Sequence, residues 1–120
     1  KRGSRETMTM LRNGTGDKAS LLRFTLKDFP CFTLWKNTAG MADGYVTGLE
    51  PATSYPNSRR FEREKGRVIT LAGGESRTTT LSIETLDTKK AIKAAEAEIK
   101  TLQKTAKAKV HRQPLSSFSD

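Results

Sequence analysis

The sequence predicts an all-β fold, an incomplete β-sandwich of four or five strands with a C-terminal α-helix. Three observations carry this reading. Leu22, Phe24 and Leu26 alternate with Arg23, Thr25 and Lys27, the period of two of a half-buried strand. Turn-forming pairs (Asn13-Gly14, Asp43-Gly44, Gly73-Gly74) recur between short apolar runs. From Asp87 onward the apolar spacing changes to three and four.

Taken in order, Thr7 to Leu11 forms a short first strand before the turn residues Asn13-Gly14 and Gly16-Asp17. The alternating run around Leu22 to Leu26 is the second, broken by Asp28-Phe29-Pro30. Phe32-Thr33-Leu34-Trp35 is a third candidate and Tyr45 to Leu49 a further one. A loop rich in proline and serine spans Pro51 to about Arg60. Val68 to Leu71 and Thr78 to Thr85 are strands joined across the Gly73-Gly74 turn, with Leu81 and Ile83 on one face. Ile92, Ala95, Ile99, Leu102 and Ala106 then make one narrow helical stripe, capped by Asp87 or Thr88 and ended by Gln113-Pro114. The expected organisation is a sandwich portion over 1–87, a basic amphipathic helix over 88–113 and a disordered tail over 114–120.

Composition bounds the function. The chain has 120 residues, about one domain, and 34% of them are hydrophobic, enough for one modest core. A single cysteine, Cys31, rules out an intramolecular disulfide and reads as a small buried hydrophobe. With one histidine, His111, far away in sequence, a Cys/His zinc site or a catalytic triad within the chain is disfavoured. No metal or cofactor is expected. No apolar run approaches a membrane span, so no membrane partner is expected. The chain opens on Lys1-Arg2-Gly3-Ser4, without Met and without an apolar segment behind it. That start, the open sheet edges and the unpartnered bulk of Phe24, Phe32 and Trp35 lead to one expectation. The chain is a cytoplasmic piece of a longer protein, lacking the N-terminal part of its own domain and prone to self-association alone.

The net charge of +9 is uneven. Residues 1–87 hold 14 basic and 10 acidic side chains, whereas residues 88–112 hold 8 and 2. Nucleic-acid binding through this lysine-rich helix is conceivable but disfavoured. It has no interleaved aromatic residues, and such a face is ordinarily solvated. The stripe is expected to pack back on the sheet or against another helix, as an accessory to the body. Gly14-Thr15-Gly16-Asp17-Lys18 lacks the Gly-Lys-Ser/Thr ending of a phosphate loop and is rejected as one.

The segment richest in chemistry runs from Trp35 to Asn57. Glu50 ends an apolar strand directly before Pro51, which holds Glu50 extended and so aims its carboxylate at a sheet end. Held among Trp35, Tyr45, Leu49 and Tyr55, that carboxylate would be partly desolvated and more basic, as a general base requires. The plainer alternative is an exposed strand-end glutamate paired with Arg59 or Arg60. Trp35 could stack on a sugar ring with Lys36 and Asn37 bonding hydroxyls, or could simply be core with Lys36 in solvent.

Gly48-Leu49-Glu50-Pro51, with Tyr55-Pro56-Asn57 after it, resembles the late motif of the aldose 1-epimerases, the galactose mutarotases. Gly66 to Ser76 resembles that family's closing hairpin, with Gly73 where proline is usual. The strings Leu34-Trp35-Lys36-Asn37-Thr38 and Gly48-Leu49-Glu50-Pro51-Ala52-Thr53 are similar to a little-characterised branch of it, and the likeness covers about residues 20–86. The resemblance implies a galactose-mutarotase-like β-sandwich and an aldose substrate. Glu50 would be the catalytic base, and Trp35, Lys36, Asn37, Tyr55 and Asn57 would line the sugar site. The implied acid is a histidine upstream of this segment; His111 matches no family position. The alternative is a non-catalytic carbohydrate-binding or structural β-module. Glu62→Gln, a few residues on, is expected to be near neutral for anomer interconversion beside Glu50→Gln, and removal of everything after Asp87 is expected to leave sugar binding unchanged.

Overall fold

The computed structural model describes residues 6–104 and 108–119. In chain order its elements are β1 (Glu6–Arg12), β2 (Ala19–Thr25), β3 (Cys31–Lys36), β4 (Thr47–Ala52), α1 (Arg59–Glu64), β5 (Ser82–Leu86) and α2 (Lys89–Gln103). They divide between two compact units. One is built from residues up to Lys27 together with Thr79–Val110, the other from Asp28–Thr78 with His111–Asp120. Both units are discontinuous, and the helix shares a unit with the first two strands.

The first unit is a three-stranded antiparallel sheet in the order β1-β2-β5, with α2 packed on one face. The turn between β1 and β2 is made by Asn13, whose Oδ1 accepts from the amides of Asp17 (3.1 Å) and Lys18 (3.2 Å) while Gly16 takes φ 69°. Thr15 Oγ1 (2.5 Å) and Asn13 Nδ2 (2.7 Å) donate to Asp17 Oδ1 and hold that carboxyl below its usual pKa. As the central strand, β2 is buried on both faces: Leu21 on the helix side, Leu22 and Phe24 on the other. Met8, Leu21 and Ala95 form the centre of the helix-on-sheet core, with Met10, Leu86 and Ile99 around it. Thr88 caps α2, its Oγ1 accepting from Ala91 N at 3.2 Å. Ile92 fills the first turn of the stripe and is 1% exposed.

Arg23 lies on the helix side of β2. Its Nε donates to Glu84 Oε1 of β5 at 2.7 Å, and Nη1 and Nη2 donate to the two oxygens of Glu98 on α2 at 2.6 and 2.9 Å. Arg12 reaches Glu96 at 3.2 Å. Both acidic residues of the helix thus turn toward the sheet, leaving its lysines exposed. The pairs are partly solvated, and each contributes little to stability. They also draw the Glu98 carboxyl below its usual pKa through the hydrogen bonds from Arg23.

The helix ends at Gln103, not at 113. Leu102 is half exposed, so the buried stripe has run out, and Lys100 and Lys104 repel each other one turn apart. Lys104 leaves the helix with φ 48°, its N–H on Lys100 O. Ala106 lies outside the described residues. Residues 108–119 contain no helix, and the stretch expected to be disordered holds a turn in which Phe118 N and Ser119 N donate to Leu115 O at 2.8 and 3.1 Å.

The second unit is built on the antiparallel ribbon β3–β4, in register Cys31↔Ala52, Thr33↔Glu50, Trp35↔Gly48 and Lys36↔Thr47. β4 starts two residues later than the apolar run suggested, and its second edge has no partner among the described residues, which tolerates Pro51. Val68–Leu71 and Thr78–Leu81 are not strands; only Ser82–Leu86 pairs. The Gly73-Gly74 turn forms as expected, with Glu75 N on Ala72 O at 3.0 Å and Gly74 at φ 80°. Its arms stay extended but unladdered, because β-propensity yields a strand only where a partner takes the backbone hydrogen bonds. No helix among the described residues is long and apolar enough to cross a membrane.

If the helix is held by its buried first turns, Ile92→Ala will cost about 2–5 kcal/mol of stability and Leu102→Ala under about 1 kcal/mol. Urea unfolding followed by circular dichroism measures both.

Candidate functional site

All six sequence-predicted site residues lie in the second unit, but not on one surface. Side chains alternate along a strand. The register therefore puts Glu50 on the same face of the ribbon as Gly48, Thr33 and Trp35, with Trp35 opposite Gly48 and diagonal to Glu50. A Cβ on Gly48 would collide with Glu50 Oε1 and sit 3.1 Å from its Cδ, so the carboxylate folds back over the glycine. Trp35 is half exposed at 49% and Glu50 is exposed. The expected nest around Glu50 is thus corrected: Leu49 occupies the opposite face, and Tyr45 is exposed. The expected alternative partners are not there either. Arg60 pairs with Glu64 at 3.1 Å, and Glu50 makes no ion pair among the described residues.

Lys36 and Asn37 do not join this face. Lys36 opposes Thr47 and points away from Trp35. Asn37 fastens the turn beyond β3: its Oδ1 accepts from Ala39 N at 2.9 Å, Nδ2 donates to Gly44 O at 3.4 Å, and its N–H donates to Val46 O at 3.1 Å.

Tyr55 and Asn57 belong to a second constellation, built around Glu62. Ser58 caps α1, its Oγ accepting from Phe61 N, and this brings Glu62 beneath the loop it follows. After the helix, Gly66 takes φ 70°, Gly66 N donates to Arg63 O at 3.0 Å and Arg67 N to Glu62 O at 2.9 Å, a Schellman ending. That turn returns Arg67 to Glu62. Arg67 Nε donates to Oε2 at 2.6 Å and Nη2 to Oε1 at 2.7 Å; Asn57 Nδ2 adds a bond to Oε1 at 2.7 Å and Tyr55 N one to Oε2 at 3.1 Å. Glu62 is 2% exposed. A buried carboxylate is tolerated only when so fully bonded. The Arg67 hydrogen bonds lead in holding the Glu62 carboxyl down at about 2, against the opposing effect of burial. Burial pushes the Tyr55 phenol up, with the Cys31 thiol adding to it. Among the described residues no cluster of three or more His, Cys, Asp and Glu converges to hold a metal.

Residues 2–85 match the family model described as a domain of unknown function, DUF4432. The chain belongs to that family. A crystal structure of a "putative aldose 1-epimerase" from Klebsiella pneumoniae subsp. pneumoniae MGH 78578 is 35% identical and superposes with a TM-score of 0.81 over 88% of the chain. The fold is accordingly aldose 1-epimerase-like, as the motifs around Glu50 implied. The chain spans 27% of that protein's length. No functionally curated protein matches it.

For this DUF4432 member, the sequence reading missed α1 and the burial of Glu62. Glu62 is the one buried charged residue among the described residues, so a change there acts on stability as well as on any activity. The available signals were Ser58 ahead of a helix-forming stretch and Gly66 just past it.

Because Glu62 has a lower pKa folded than unfolded, its stabilisation is present above about pH 4.5 and is lost as pH falls through about 2. Glu62→Gln is expected to lower the melting temperature at pH 7 by on the order of 5 °C or more and to flatten the acid limb of stability between those pH values. Melts across that range test it.

Proposed function

We propose that this chain is the base-bearing portion of an aldose 1-epimerase-like sugar isomerase, working in a longer protein whose remaining part supplies the acid. The observation that carries the reading is the single face shared by exposed Glu50, the space over Gly48 and half-exposed Trp35. An indole face suits the apolar side of a pyranose, and an adjacent free carboxylate suits its anomeric hydroxyl. The family match and the likeness of the Klebsiella structure support the sugar class.

In this reading Glu50 accepts the proton of the anomeric hydroxyl while the acid partner protonates the ring oxygen. The bond between the anomeric carbon and the ring oxygen breaks, giving the open-chain aldehyde. Rotation about the adjacent carbon–carbon bond and reversal of both proton transfers close the other anomer, so no net proton or electron is consumed. Each well-placed proton transfer is worth about 10²–10⁴-fold. Trp35 orients the ring. Tyr55 and Asn57 hold the loop behind Glu50 in place of touching sugar. Lys36 and Asn37, off the Glu50–Trp35 face, would meet only a sugar that reaches beyond it.

Glu50→Gln in the full-length protein should slow anomer interconversion by about 100-fold or more while sugar affinity changes little. Glu64→Gln, on exposed α1, is the control expected to be neutral. Polarimetry or NMR exchange on a panel of aldoses reads both, and full activity in Glu50→Gln removes the mechanism. Gly48→Ala tests the positioning separately. The added methyl displaces the carboxylate from its place over the glycine, so kcat should fall about tenfold while the melting temperature is held.

A further inference from the structure

We propose that Leu115–Ser119 is a latch that fixes the loop running from the end of β4 to Asn57, and with it the strand end carrying Glu50. This rests on the reading of Glu50 as the base. The segment is held through two consecutive backbone carbonyls and one ring. Arg67 Nη1 donates to Ser117 O at 2.9 Å, Asn57 Nδ2 donates to Phe118 O at 2.9 Å, and the Phe118 ring meets Tyr55 edge-on, centroids 5.4 Å apart at 72°. The donors are the ones that also hold Glu62, so the same Arg67 and Asn57 grip the buried carboxylate on one side and the latch on the other. The Arg67 guanidinium also lies over the Tyr55 ring, 5.2 Å from its centroid, so the same ring meets both the guanidinium and Phe118.

The loop is tethered from within at Tyr55 N on Glu62 Oε2 and at Thr53 O, which accepts from Cys31 Sγ at 3.9 Å. The latch supplies the outer contacts. Backbone carbonyls are available from any sequence, so the requirement for a particular side chain falls on Phe118. Its ring is half exposed, so removing it leaves no sealed core cavity. A general base displaced by even about 1 Å loses much of its rate, which makes a loosened loop costly to kcat before it is costly to binding.

The test uses the full-length protein with Phe118→Ala and Phe118→Tyr. Amide exchange at Tyr55 N–H should speed at least tenfold in Phe118→Ala and return close to the original rate in Phe118→Tyr, with the amides of β2 unaffected in both. On a substrate aldose, kcat should fall about tenfold in Phe118→Ala with KM within twofold, and Phe118→Tyr should restore it. Unchanged Tyr55 exchange overturns the latch, as does faster exchange with unchanged kcat. Loss of protection in β2 as well also overturns it, because the contact would then hold the whole fold. If the parent interconverts no aldose, the reading of Glu50 fails and the exchange measurement alone decides the latch.

Discussion

The buried Glu62 carboxylate is the constraint on which the second unit is organised. An ion removed from water must be met by donors from all sides, and here those donors come from the two segments that flank α1. Tyr55 and Asn57 supply the loop after β4, and Arg67 supplies the segment after α1. Neither a strand ladder nor a sizeable apolar core connects these stretches; Glu62 is the only group buried in α1. A hydrophobic side chain at position 62 could fill the volume but would take the acceptor from Arg67 Nε and Nη2 and from Tyr55 N, and leave Asn57 Nδ2 only its bond to Phe118 O. The carboxylate therefore specifies one loop conformation where apolar packing would allow several.

The first unit solves a different problem by ordinary means. Its sheet buries Leu21 and Met8 under Ile92, Ala95 and Ile99, and charge sits only at the margin. Arg12 and Arg23 take up Glu96 and Glu98, so both acidic side chains of the helix are engaged with the sheet while its lysines stay exposed. The basic character of residues 88–112 is thus a consequence of where the sheet arginines stand, as well as of composition.

What was legible in the sequence followed local periodicity. The alternation at Leu22 and Phe24 gave β2, the Asn13–Asp17 and Gly73-Gly74 chemistry gave two turns, and Ile92 and Ala95 gave the buried side of α2. The Gly-Leu-Glu-Pro string located the strand that carries Glu50 and the fold family together. What failed was non-local. Val68–Leu71 has strand composition but no ladder among the described residues, and composition cannot supply a partner. Lys36 stands next to Trp35 in sequence, and for that reason stands on the other face of the ribbon. Glu62 resembled any surface glutamate because its burial depends on Arg67 being returned by Gly66, and on Asn57 and Tyr55 folding over it.

The exposure of Glu50 bears on the proposal that it serves as a base. A carboxylate in water is a weak base, and its basicity rises when water is excluded. On this ribbon the one large aromatic side chain on its face is Trp35, itself half open, and the glycine beneath the carboxylate offers no cover. A pyranose lying against the indole would cover Glu50 at the moment its proton is to be taken, so desolvation would come with the substrate instead of being built in. The fixed parts are then only those that place the carboxylate: a glycine that leaves room, a proline that stiffens the strand end, and a loop anchored to a buried ion pair. In the proposed reading, placement is built into the chain and exclusion of water is left to the substrate.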